Sequence, residues 1–81
     1  MYKVVLQGPA EKSYRKIART NLSLLKRIDA ALASIQQDPS QYKPLVGRLQ
    51  GKWSCRVGDW RIIYSIEKSI VTVYILAIGH R

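Results

Sequence analysis

The sequence is poor in cysteine, in acidic residues and in long apolar runs. A single cysteine, Cys55, excludes an internal disulfide framework and any zinc site built from several thiolates. It falls within the apolar alternation of a strand, where a small buried hydrophobe is the simplest reading. The apolar stretch Ile70–Ile78 is far shorter than the ~20 residues that span a bilayer. Met1-Tyr2-Lys3-Val4-Val5-Leu6 is too short for a secretory signal and reads as a strand. These absences lead us to expect a soluble protein of the cytoplasm with no membrane role. Only five Asp and Glu stand against fourteen Lys and Arg, a formal net charge of +9. Such an excess favours polyanions: nucleic acid, the ribosome or an acidic protein partner. No segment pairs a basic face with a bulky apolar face that lacks a core to join, so a membrane-surface role is disfavoured.

The chain reads as one small domain, residues 1–81, without repeats or low-complexity tracts. At this size folding buries about 60–65% of the unfolded surface, enough for a modest core. Tyr2–Gln7 alternates like a strand and Gly8-Pro9 breaks it. Proline suits the first position of a helix, where its missing N–H costs nothing, and Glu11 follows in the first turn to favour the helix dipole. Ala10, Tyr14, Ile17 and Ala18 form the apolar stripe of this helix. Thr20-Asn21 offers a break and a new N-cap. Leu22, Leu25, Ile28, Leu32 and Ile35 mark the buried face of a second helix, which Asp38-Pro39 stops, because the residue before proline avoids the helical region. Ser40–Lys52 reads as a linking loop, with Leu45, Val46 and Leu49 tucked against the core.

The last third carries three strand-like runs, separated at Gly58-Asp59 and at Glu67-Lys68-Ser69, as in a hairpin meander. Alternation puts Trp53, Cys55 and Val57 on one face of the first run, with Ser54 and Arg56 opposite. In the second, Trp60, Ile62, Tyr64 and Ile66 oppose Arg61, Ile63 and Ser65. The third, Ile70–Ile78, is apolar on both faces and should be central or covered on both sides. The expected fold is α+β, in the order β-α-α-β-β-β. An antiparallel helix pair packs on a four-stranded, mainly antiparallel sheet, with strand order left open. Arg56, Arg61, His80 and Arg81 are expected to gather on one side of that sheet.

The residues Gly8-Pro9-Ala10-Glu11-Lys12, Leu49-Gln50-Gly51-Lys52-Trp53, Cys55-Arg56-Val57-Gly58-Asp59-Trp60-Arg61-Ile62-Ile63-Tyr64 and Ile78-Gly79-His80-Arg81 resemble the RelE/ParE superfamily of toxins from type II toxin–antitoxin systems, most nearly its RelE branch. The resemblance covers essentially the whole chain. It implies a metal-independent, ribosome-dependent endoribonuclease that cuts mRNA, needs no cofactor, and is neutralised by a cognate antitoxin that is acidic and partly disordered. It assigns catalytic roles to Arg56, Arg61, His80 and Arg81, with Arg61 and Arg81 clamping the scissile phosphate. Lys43, Arg48 and Lys52, set among the glycines and proline of the linking loop, are with Ser54 the candidates for RNA or phosphate binding. An imidazole, with an ordinary pKa near 6.5, suits His80 for acid–base work.

Two departures from the family pattern stand out. Ser54 occupies a position where better-known relatives carry a basic residue, and the sequence stops at Arg81 where active relatives continue to a base-stacking tyrosine. Other readings stay open. Arg61 can be an ion-pair partner of Asp59 or Glu67, and Trp53 and Trp60 can close the core. The chain can also be a gyrase poison of the ParE kind, or a degenerate toxin that only binds antitoxin.

Overall fold

The computed structural model describes residues 1–80. Its elements follow the chain as β1 (Lys3–Leu6), α1 (Gly8–Thr20), α2 (Leu22–Gln37), β2 (Lys43–Pro44), β3 (Lys52–Val57), β4 (Trp60–Glu67) and β5 (Thr72–His80). Pro9 sits in the first turn of α1 with Glu11, and Arg19 in its last turn, each on the side that the helix dipole favours. Asn21 caps α2, its side chain accepting a hydrogen bond from the Leu24 amide at 3.1 Å. The buried face of α2 is Leu24, Ile28 and Ile35. Leu22, expected there, is 66% exposed, and Leu24 takes the inward position in the first turn of α2. Tyr14 donates to Asp29 Oδ1 at 2.6 Å and ties the two helices together.

The sheet has five strands in the order β1-β5-β4-β3-β2, with β1 parallel to β5 and the other pairs antiparallel. It has one strand more than expected. The extra strand, β2, lies inside the segment read as a linking loop. Two residues carry no periodicity to read, and Pro44, unable to donate to a ladder, is confined to an edge. Of the residues expected to tuck inward from this segment, Leu45 is half-buried, whereas Val46 and Leu49 are exposed. The strand expected to be central is central: β5 lies between β1 and β4.

Both helices cover one face of the sheet. Cys55, Val57, Ile62, Tyr64, Val73, Ile75 and Ile78 point into that layer and meet Ala10, Ile17, Leu24, Ile28 and Ile35. Trp53 and Trp60 pack at its margin and so help to close the core. Beneath the C-terminal end of α2, the buried Tyr64 hydroxyl donates to the Pro39 carbonyl at 2.5 Å, and the Tyr42 and Ser34 hydroxyls share a hydrogen bond at 2.6 Å. These bonds anchor the start of the β2 segment to the core.

A β-bulge shapes one end of the sheet. Ile63 pairs with Ala77 and Tyr64 with Ile75, which leaves Leu76 as the extra residue on β5. The bulge reverses the side-chain alternation of Ala77–His80. Ile75 and Ile78 therefore both face the helices, and Ala77 and Gly79 fall on the open face.

Candidate functional site

The open face of β3 and β4 is organised by their hairpin. Val57 pairs with Trp60 across the two-residue turn Gly58-Asp59. Gly58 has φ +62° and Asp59 has no positive φ, the pattern of a type II′ turn, which takes glycine at its first central position. A Cβ at Gly58 would lie 2.7 Å from the Arg27 guanidinium, which reaches the turn from α2. This position needs glycine for its backbone angle; the arginine tip, at the end of a flexible side chain, could move aside.

One step from the turn, Arg56 pairs directly with Arg61, and both are exposed. In a two-residue hairpin this second pair is of the non-hydrogen-bonded kind, in which Cα atoms approach to about 4.5 Å and side chains are closest. Like charges directly opposite one another on adjacent strands are unfavourable on their own. No ion pair links Arg61 to Asp59 or Glu67; among the described residues the sole salt bridge is Arg15–Glu11 on α1, at 2.8 Å. The two arginines thus line one cleft, and among the described residues no carboxylate pairs with either of them.

Around this pair the sheet register assembles a cleft of about 390 Å³. Lys43 on β2 pairs with Ser54 on β3, and both line the cleft with Arg56, Arg61, Tyr42 and Leu45. Lys52 precedes Ser54 on the same face of β3 and pairs with Ser65. Of the sequence candidates, the structure brings together Lys43, Ser54, Arg56 and Arg61, with Lys52 one step along β3. Arg48 lies on the exposed turn Gly47–Leu49, outside the cleft lining. Arg81 lies outside the described residues.

His80 departs from the expected gathering. It pairs with Trp60, whose neighbours Ile62 and Tyr64 face the helices, and its ring stands edge-on to the indole with centroids 5.3 Å apart. It occupies the rim of the sheet, bordering a groove beside Lys16, Thr20 and Asn21 on the helix side and a shallow depression on the open face. The bulge at Leu76 is the reason, because it turns His80 away from the side that Arg61 occupies.

That depression, about 340 Å³, lies on the other side of Arg61 from the cleft and is floored by Ile63, Ala77 and Gly79. Neither Ala77 nor Gly79 stands out in a strand that is apolar on both faces. The available signal was a glycine within a strand, which commonly marks the close approach of a ligand or another backbone.

Cys55 faces the core beneath the cleft. Burial pushes its thiol pKa up, the neighbouring Tyr42 opposing this in part, so the group stays a thiol in the core layer. No group of three or more His, Cys, Asp or Glu placed to hold a metal occurs among the described residues. No helix among them is long and apolar enough to cross a membrane.

Two helices on a mostly antiparallel sheet with this strand order make the fold of the RelE and YoeB toxins. The YoeB/ParE toxin from Agrobacterium tumefaciens superposes with a TM-score of 0.88 at 20% identity, over 98% of each chain. The RelBE2 toxin–antitoxin complex from Mycobacterium tuberculosis matches with a TM-score of 0.82 at 29% identity, over 99% of this chain and 98% of that one. The family model for the ParE toxin of type II toxin–antitoxin systems (parDE) matches residues 4–81, and the chain belongs to that toxin family, within the RelE/ParE superfamily. In sequence it is also 34% identical over 55 residues to Toxin RelG of Mycobacterium tuberculosis (strain ATCC 25618 / H37Rv). That alignment takes in 67% of this chain and 63% of RelG, a little under two thirds of the relative's length.

Proposed function

We propose that this toxin is an endoribonuclease that cuts mRNA on the ribosome, with the open sheet face as its active site. The observation that carries the reading is the pairing of Arg56 and Arg61 side by side, with no carboxylate partner among the described residues. Attack of a ribose 2′-OH on the adjacent phosphate places extra negative charge on the phosphorane. Two guanidiniums brought to one cleft by the strand register stabilise that charge, most strongly where the ribosome excludes water. Each can also grip two phosphate oxygens at once. Lys43 and Lys52 extend the positive strip along which the RNA backbone runs, and the Ser54 hydroxyl lies within the cleft as a hydrogen-bonding group. His80, the sole imidazole in the chain, borders the open face and is assigned to proton transfer. Arg81 follows it and is assigned, by family resemblance, a second grip on the phosphate.

A cognate antitoxin is the expected partner. An acidic segment laid across the open face would neutralise Arg56 and Arg61 and block the cleft, and its affinity should fall as salt rises. In support, several solved structures of the same fold are toxin–antitoxin complexes, among them the RelBE complex of E. coli.

The match to the ParE family model favours a second reading, poisoning of DNA gyrase without RNA chemistry. Primer extension on a reporter mRNA in a translating extract separates the two. New ends within codons, lost with Arg61→Ala, are the result expected of the nuclease. No new ends, together with gyrase-dependent DNA breakage by the same preparation, would transfer the toxin to the second class.

A further inference from the structure

The open face carries two adjoining features of opposite chemistry, and Arg61 stands between them. On the β3 side is the cationic cleft; on the β5 side is the depression over Ile63, Ala77 and Gly79. Register explains why the second exists. Gly79 pairs directly with Arg61 and Ala77 with Ile63, so the two β5 residues beside the arginine are the small ones. They reach this face only because Leu76 bulges out of register. Bulges of this kind recur beside active sites, where they re-aim side chains. A Cβ on Gly79 would meet nothing within 4 Å and its φ is not positive, so neither backbone strain nor core packing requires glycine there. What the glycine leaves is open, apolar floor.

We propose that this depression is the nucleobase subsite of the cleft: one base of the RNA lies on Ile63, Ala77 and Gly79 while its phosphate is held by Arg61 and Arg56. The inference rests on the nuclease reading above and extends it to the base. Ile63 is two residues from Arg61 along β4, about 7 Å, and β5 is about 5 Å away across the ladder. The floor therefore lies one nucleotide's reach from the guanidinium. An anionic group beside a flat apolar one is what a nucleotide presents, and the apolar floor, flanked by Arg61 and bordered by His80, accepts that pair with the phosphate toward Arg61. An aliphatic floor reads the shape of a base rather than its hydrogen-bonding edge, so selectivity at this position should follow base size.

The test uses the full chain, isotope-labelled, titrated with a 2′-O-methylated trinucleotide that cannot be cleaved and with the same strand bearing an abasic central position. For wild type we expect the base-bearing strand to bind about tenfold more tightly, what removing roughly 55 Å² of apolar surface from water provides. It alone should shift the amides of Ile63, Ala77 and Gly79, while both strands shift Arg56 and Arg61. Gly79→Val fills the depression and should cut the tenfold preference to about twofold or less, leaving abasic binding unchanged. Gly79→Ala should fall between the two. Equal binding of both strands by wild type, or a preference that survives Gly79→Val, overturns the base subsite and leaves the phosphate cleft standing. Absence of any shift at Arg56 and Arg61 with either strand overturns the subsite, whereas the nuclease reading falls only if primer extension in the translating extract shows no new ends.

Discussion

On β4, Ile62 and Tyr64 are fully buried against the helices, while Arg61 and Ile63, one residue away, stand on the open face. Alternation along a single strand thus separates two tasks at a spacing of one residue. The helix-covered face gathers apolar side chains from every long strand and from both helices, and its buried polar groups find partners, as Tyr64 does with Pro39. The open face does the reverse, placing two arginines opposite each other with no ion-pair partner among the described residues. A sheet optimised for stability would not leave that pair unneutralised. That contrast is the reason for proposing that function lies on the face the helices leave uncovered.

The sharpest way to break the comparison is to make one substitution on both sides of it. Ile62→Ala should cost about 2–5 kcal/mol, because the emptied site lies in a packed core. Ile63→Ala, on the neighbouring residue, should cost about 1 kcal/mol, since its partly exposed side chain leaves no closed cavity. Urea unfolding of the two variants measures the difference, and equal losses would mean that the faces are not separate.

Tyr64→Phe comes next, at about 1–2 kcal/mol, because it leaves the Pro39 carbonyl without its donor. It should also change the response to alkali. Burial first, and nearby groups second, push the Tyr64 hydroxyl pKa up, and burial does the same for the Cys55 thiol. Above about pH 9 to 10 the unfolded chain releases these protons first. The unfolded state then binds fewer protons than the native one, so stability falls as pH rises. The contribution is complete below that range and is lost above it. Unfolding midpoints at pH 8 and pH 10.5 should diverge for wild type and less so for Tyr64→Phe.

The smallest expected effect lies at the far end of the sheet. Val71 adopts φ 49° and ψ 49°, a left-handed conformation that a β-branched residue seldom takes, and its side chain is 47% exposed. Val71→Gly relieves that strain without removing core packing and should raise stability by about 0.5–1 kcal/mol, read as a higher thermal midpoint.

Much of this contrast was legible in the sequence. The faces of β3 and β4 follow from simple alternation, because each carries a charged or polar residue on one side to break the symmetry. Both helix boundaries were marked by proline and by a capping Asn21. The position of His80 was not legible. β5 is apolar on both faces, so shifting its register by one residue leaves the pattern looking the same, and only the fold reveals that Leu76 bulges. The error at Leu22 has a similar origin, since Leu22, Leu24 and Leu25 offer competing apolar spacings at the start of α2. Strand β2 was too short to announce itself.

The measurement that bears most directly on the account is a paired one on the Arg56→Ala/Arg61→Ala variant: mRNA cleavage in a translating extract and urea unfolding on the same preparation. Cleavage should drop by about 10²- to 10³-fold or more, as expected when donors to a developing charge are removed. Unfolding should stay within about 0.5 kcal/mol of wild type, or shift slightly toward greater stability as the like-charge pair is relieved. Cleavage retained in a folded variant, or activity lost only in step with stability, would contradict the claim that these arginines serve the reaction and not the fold.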